Sequence, residues 1–488
     1  MPIPSLRLRH ANDRPVQPTG DYVLYWMIAN RRTRWNFSLE HAAEVAQQLG
    51  KPLVVLEALR VGYRWASDRL HAFVIQGMAE NQRRLARRPA LYYPYLEPQP
   101  NAARGLLETL AERACLVVTD DFPCFFLPTM IALAGRRLSV RLDVVDSNGL
   151  LPLYATKQVF TVAHSFRRWL QKNLRPHLAT AAFPKADPLA HAKLPVLDAL
   201  PAAITRRWPA ADVARLAQDL TQLREFPIDH TVAPTQQRGG AATAEATLQA
   251  FLERKLDRYD LDRNDPDVDG ASGLSPYLHF GHLSAHQIFH DATQCEDWST
   301  DAISDKPNGA AHGWWNTSEP LESFLDQLIT WRELGYNRCA HDPHYDRFDS
   351  LPDWALRTLD RHARDPRPHL YTLEEFEHAD THDKIWNAAQ RQLVREGRIH
   401  NYLRMLWGKK ILEWSPSPRE ALAVMLELNN KYALDGRNPN SYSGIFWVLG
   451  RYDRAWGPER RVFGTVRYMS SDSAARKLRL KAYLQQFS

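Results

Sequence analysis

From Asp21 the apolar positions come in short runs. DYVLYWMIA, PLVVLEAL, PALYYPYL, CLVVTDD and VRLDVVDSN are each too short for a buried helix and rich in Val, Leu and aromatic residues, so they read as strands. Between them lie segments with apolar residues at three- and four-residue spacing: NFSLEHAAEVAQQLG closed by Gly50, SDRLHAFVIQGMAENQRRLARR, NAARGLLETLAERA and FFLPTMIALAGRR. Strands alternating with helices predict a doubly wound, five-stranded parallel sheet over residues 21–150, an α/β domain. Residues 1–20, Pro- and Arg-rich, read as an N-terminal arm that frays or packs late. Residues 151–240 are rich in Ala and Pro with broken helical stretches and read as a connector. Regular periodicity restarts after Gly239 and Gly240, and residues 241–488 read as almost all helix. The polar stretch 291–320 breaks that pattern while carrying Trp298, Trp314 and Trp315; it reads as either a lid or an ordinary surface loop.

Length and composition narrow this picture. A chain of 488 residues predicts two domains or three. No apolar run approaches about 18 residues, so no membrane span is expected, and the N-terminus has no secretory core, which points to the cytoplasm. Cys115, Cys124, Cys295 and Cys339 form no CxxC pair, so buried free thiols are expected and a zinc or iron–sulfur site is not. The net charge of +6, clustered at Arg31, Arg32 and Arg34, at Arg83 to Arg88, and at Arg460 and Arg461, favours an anionic partner. No GxGxxG follows the first strand, so a dinucleotide on that turn is not supported, although the strand ends still offer a crevice.

The densest chemistry lies in residues 381–447. Trp407 and Trp414 are two helical turns apart, about 10.5 Å along one face, and Trp386 lies on the preceding predicted helix. Three indoles in a helical core either fill it or form an electron path. Arg404 and Asp435 are either a structural salt bridge or a pair holding ligand charge. GASGLSP (270–276), at a predicted helix start, is either a plain cap or an anion cradle.

HDKIWNAAQ, NYLRMLWGKKILEW and LNNKY-x-x-DGR-x-P together resemble the flavin-binding core of class II cyclobutane pyrimidine dimer photolyases, within the photolyase/cryptochrome family. The resemblance extends to GASGLSPYLHFGHLSAHQ, ITWRELGYN and FGTVRYMS, in family order over nearly the whole chain. It implies a helical C-terminal domain holding non-covalent FAD in a compact, folded shape. Ser272, Gly273, Leu274 and Ser275 would hold the pyrophosphate, with Tyr259 packed nearby, Ala271 lacking a hydroxyl the family often has, and Arg404 and Asp435 beside the ring system. Asn429 would face flavin N5, with Asn440 as runner-up; Asn438 stands where an Asp is usual. Electrons would pass along Trp407, Trp386 and Trp414, the last at the surface.

By the same resemblance Trp331 and Trp447 pack against a flipped-out dimer with Met405 beside them, and Arg467 enters the space the lesion leaves. By charge alone, Arg454, Arg460 and Arg461 are either phosphate contacts or a solvated face. The main departure is Gln327, where the family has a Glu that hydrogen-bonds the dimer; Gln donates a hydrogen bond but transfers no proton. Asp326 is adjacent but about 100° away around an α-helix. The expected activity is light-driven carbon–carbon lyase repair of UV-damaged DNA by a monomer. The alternatives are a cryptochrome-like photoreceptor and an enzyme for another photoproduct. The presence and identity of an antenna chromophore stay open.

Overall fold

The computed structural model describes residues 2–488 and divides into two compact units, each built from three stretches of chain. The first comprises the residues up to Thr156 with Leu174–Gln249 and Leu274–Thr300. The second comprises Lys157–Asn173, Ala250–Gly273 and Asp301–Ser488.

The first unit holds a sheet of β1 (Leu8–His10), β2 (Tyr22–Met27), β3 (Leu53–Leu59), β4 (Leu91–Leu96), β5 (Ala114–Asp120) and β6 (Leu142–Val145), in the order β1-β6-β5-β2-β3-β4. The five expected strands are all present and parallel. The sixth, β1, pairs antiparallel with β6 and lies in the stretch read as an arm. Three residues of Leu-Arg-His carry no visible alternation, and the strand exists because β6 offers an edge. Buried Arg7 fastens it, donating to the Leu150 carbonyl at 2.7 Å and pairing with Asp146 at 3.4 Å.

Helix α1 (Phe37–Leu49) starts on Asn36, whose side chain accepts the N–H groups of Ser38 and Leu39, and stops at Gly50 with φ 62°. With α2 (Asp68–Leu85) it covers a sheet whose central strands are buried on both faces, which is why their sequences run apolar instead of alternating. Residues 174–249 do not span open space. Val213, Leu216 and Leu223 pack with Ile75, Met78 and Ala79 of α2. Where β2 and β5 lie side by side, the buried Asp120 carboxylate accepts the backbone N–H groups of Ile28, Ala29 and Asn30 and the Tyr25 hydroxyl. One carboxylate thereby satisfies a loop that would otherwise leave three donors unpaired.

The second unit is helical. Its main members are α3 (Ala163–Asn173), α4 (Glu319–Leu325), α5 (Arg332–His341), α6 (Lys384–Glu396), α7 (Asn401–Trp414), α8 (Pro418–Tyr432) and α9 (Pro439–Val448). Helix α7 is central, packed by α6, α8 and α9, while α9 also lies along α5. Two glycines permit these approaches. A Cβ on Gly408 of α7 would meet Val448 at 2.5 Å, and one on Gly335 of α5 would meet the Pro439 carbonyl oxygen at 2.9 Å. Helix α6 is opened by Asp383, which accepts the N–H groups of Ile385 and Trp386 at 3.0 Å, and closed by Gly397 with φ 72°.

Candidate functional site

Helices α6 and α7 bring the three indoles together in one packed cluster. Trp386, Trp407 and Trp414 are 0%, 2% and 1% exposed. Burying an indole N–H requires an acceptor. Trp386 donates to the Trp407 carbonyl at 3.0 Å, and Trp407 donates to the side chain of buried Gln390 at 2.9 Å. The rings of Trp386 and Trp414 lie 6.0 Å apart, edge to face. The resemblance places Trp414 at the surface; the structure buries it instead. The rings of Tyr371 and His382 lie against it, with Lys410 Nζ 5.2 Å from its centre. A residue at the last position of a helix is ordinarily exposed; here the Tyr371 segment runs over it, with Tyr371 N–H donating to the Trp414 carbonyl at 3.2 Å.

Trp331 and Trp447 also meet, through the packing of α5 on α9, but differently. Their rings are stacked 4.5 Å apart at 17°, and both are half-buried. Met405 is half-buried as well. Between α4 and α5, residues Asp326–Trp331 form a π-helical turn. Its hydrogen bonds run over five residues instead of four, and Asp326 is the acid next to Gln327 in this turn. Asp326 is not an uncommitted acid, however. Arg167 of α3 binds both of its carboxylate oxygens, through Nε at 2.8 Å and Nη2 at 3.0 Å. The half-buried amide of Gln327 thus has no unpaired carboxylate beside it at position 326.

The Trp314–Trp315 pair does not form a lid. Both indoles are buried, and the N–H groups of Gly313, Trp314 and Trp315 all donate to the Glu322 carboxylate, at 2.8 to 3.1 Å. Composition could not reveal this, because the anchor lies on the next helix.

Among the residues foreseen for a flavin, Tyr259 is buried against the edges of Phe251 and Phe324, and burial pushes its phenol pKa up. Ser272 and Gly273 end one stretch of the second unit, and Gly273 takes φ 71°. Leu274 and Ser275 open the next stretch of the first unit, where a short helix starts at Ser275 as expected. Asn429 is buried, its amide nitrogen donating to Ser441 at 2.7 Å and to Asn430 at 3.3 Å. Asn438, where an Asp was the norm, caps α9 by accepting the Asn440 N–H, a task either residue performs. Arg404 and Asp435 are both half-buried. Arg437, unassigned from sequence, is the buried cation of this loop, binding the carbonyls of Asn430, Ala433 and Leu434.

One further side chain bears on whether a polar cofactor fits. His400, the residue that opens α7, is 5% exposed, and neither ring nitrogen has a hydrogen-bond partner among the described residues. Burial pushes its pKa down to about 4, so the ring is neutral near pH 7. A buried imidazole left unpaired one turn from Arg404 is the kind of group a polar ligand satisfies. These residues fit a large, partly anionic cofactor.

Lys409 is wholly buried on α7. Its ammonium donates to the Val448 carbonyl at the end of α9, and burial lowers its pKa to about 7. On the exposed surface, Arg454 and Arg467 lie 4.8 and 5.2 Å from the centre of the Trp456 ring. That indole was not foreseen, because nothing in its local spacing distinguishes it. The four cysteines form no disulfide; three are buried and Cys295 is exposed.

A parallel α/β sheet followed by a helical unit of this kind is the photolyase fold. A bacterial class III photolyase from Agrobacterium tumefaciens superposes with a TM-score of 0.66 over 96% of this chain and 86% of that one, at 18% identity. Sequence similarity is stronger. The chain is 33% identical to the deoxyribodipyrimidine photo-lyase of Methanothermobacter thermautotrophicus, covering 98% of this chain and 97% of the relative. It is 31% identical to that of Arabidopsis thaliana (98% and 91%) and 34% identical to that of Oryza sativa subsp. japonica (95% and 87%). No family model matches. The chain belongs to the deoxyribodipyrimidine photo-lyase family.

Proposed function

We propose that this protein is a class II photolyase that splits cyclobutane pyrimidine dimers in UV-damaged DNA. When bound and reduced, FAD would supply the light-driven one-electron chemistry, under blue or near-UV light, that opens the dimer ring with no net redox change. The chain supplies position and electrostatics. Tyr259, Ser272, Gly273, Leu274, Ser275, Arg404, Asn429 and Asp435 hold the flavin non-covalently, and His400 gives it a further polar contact. The Asn429 amide, whose N–H groups are committed to Ser441 and Asn430, offers its carbonyl, or its nitrogen after a half-turn about the Cβ–Cγ bond.

The observation that carries the reading is the half-buried, stacked Trp331–Trp447 pair. A dimer of saturated pyrimidines stacks poorly in the duplex, so extruding it costs less than flipping an ordinary base. An indole wall with Met405 then replaces the lost contacts. Arg467 fills the vacated space, and Arg454 pairs with phosphate. Gln327 donates a hydrogen bond to the lesion but holds no transferable proton, which predicts slower splitting than with a carboxylic acid there. Trp407, Trp386 and Trp414 carry electrons inward to restore the reduced cofactor. Among the described residues no helix is long and apolar enough to cross a membrane, and the four cysteines form no disulfide; the proposed setting is the cytoplasm, with the protein acting as a monomer. The test is a dimer-containing oligonucleotide with reduced protein under light; no dimer loss above the dark control refutes repair.

A second reading, a cryptochrome-like receptor, is favoured by one observation: Gln327 lacks a carboxyl group, and its neighbour Asp326 is occupied by Arg167. Equal dark affinity for damaged and undamaged DNA would select it. A large gain in dimer repair in Gln327→Glu would instead point to a different photoproduct as the natural substrate.

A further inference from the structure

The burial of Trp414 leaves the indole chain without an exit. Its last member is 1% exposed and cannot meet a reductant in solution. Among the rings against it, Trp386 leads back inward, and two lead out. Tyr371 is half-buried, its ring centre 5.6 Å from Trp414, and His382 is exposed, at 5.0 Å. Phe376 also touches Tyr371, but a phenyl ring without a heteroatom is a poor electron donor.

Tyr371 and His382 are joined by two hydrogen bonds. The phenol Oη lies 2.6 Å from Nδ1 of His382, and the backbone N–H of His382 donates to the same Oη at 3.1 Å. In the Nε2–H tautomer of His382, Nδ1 accepts the phenolic proton while the phenol oxygen keeps its backbone donor. His369 stacks on His382 with ring centres 3.9 Å apart. We propose that Tyr371 is the outermost electron donor of the relay and that His382 takes its proton as the electron leaves. This rests on the indole relay proposed above.

The step balances as follows. Trp414, oxidised to its radical cation after giving an electron inward, receives one electron from the Tyr371 ring. In the same step the phenolic proton moves from Oη to Nδ1. The products are neutral Trp414, a neutral tyrosyl radical and a His382 imidazolium. A one-electron reductant in solution, such as a thiol, later returns an electron to Tyr371, and the proton goes back. Lys410 supports the direction of transfer: its ammonium, 5.2 Å from the Trp414 ring centre, disfavours positive charge there, whereas His382 is exposed to water. The groups setting the state of His382 are His369 and Lys410, which disfavour its protonation, and Asp383 and Glu413, which favour it. Desolvation leads, and the imidazole lies below its ordinary value, so it is neutral and receptive at neutral pH.

The test is illumination of the protein loaded with oxidised FAD, followed by electron paramagnetic resonance and transient absorption of the amino-acid radicals. Wild-type protein should give a neutral tyrosyl signal that Tyr371→Phe abolishes, leaving a longer-lived tryptophan radical. His382→Gln should abolish the tyrosyl signal with Tyr371 still present, because an amide accepts a hydrogen bond but not a proton. The signal should fade as pH falls through the imidazole pKa, and deuterium oxide should slow tryptophan-radical decay in wild type but not in Tyr371→Phe. A tryptophan radical whose decay is the same in wild type and Tyr371→Phe, with no tyrosyl signal, overturns the inference and leaves the relay standing. Neither a tryptophan nor a tyrosyl radical in wild type, and none in Tyr371→Phe, overturns both.

Discussion

The helical unit contains two groups of tryptophans that differ in almost every physical respect. Trp386, Trp407 and Trp414 are sealed from water, and two of their indole nitrogens are hydrogen-bonded inside the protein. Trp331 and Trp447 are stacked and half-buried, with ring surface that reaches solvent. The first group loses stability if disturbed and suits charge that must stay out of water. The second exposes apolar surface in the absence of a partner, which a protein surface tolerates where something binds. One residue type serves two ends because burial, not identity, sets what an indole can do.

The sharpest way to break this contrast is truncation at its buried end. Trp386→Ala should cost about 3–5 kcal/mol, since it removes a fully buried indole and leaves a cavity; chemical denaturation reads it. Trp447→Ala should change stability much less while weakening dark binding of dimer-containing DNA by about 1–3 kcal/mol, the worth of one aromatic–base stack. A titration against undamaged DNA separates the two effects, and equal stability losses in both variants would erase the distinction.

Lys409 ties the groups together, since it lies on the helix of Trp407 and Trp414 and holds the carbonyl next to Trp447. Its pKa is lowered to about 7 in the folded protein, chiefly by burial. Between there and the unfolded value the unfolded chain binds more protons, so stability should rise with pH. The gain relative to Lys409→Met is at most about 1.4 kcal/mol per pH unit above neutrality. Below pH 7 the cost of the buried charge is present in full, and a flat difference between the two proteins from pH 7 to 9 would contradict this assignment. The smallest effect belongs to Gln390→Leu, which strands the Trp407 indole N–H and should cost about 1–2 kcal/mol. A shift in Trp407 fluorescence should accompany it.

Much of this was legible before any coordinates. The five parallel strands and the helices between them follow from local apolar periodicity, because a buried strand and an amphipathic helix impose different repeats on the chain. Tryptophan spacing placed two of the proposed relay indoles on one helix face, and family motifs supplied the remaining candidates. What stayed hidden depends on partners distant in sequence. β1 needs the edge of β6. Asp326 is spent on Arg167, 159 positions away. Trp314 and Trp315 are pinned by Glu322 of the following helix. Tyr371 lies over Trp414 by a backbone hydrogen bond that no repeat announces. By itself the sequence determined the five parallel strands and the helices between them, and which residue types are present for the proposed redox chemistry and DNA binding. Only the tertiary structure decided which indoles see water and which carboxylates are already neutralised, because solvent exclusion and charge pairing are properties of neighbours in space.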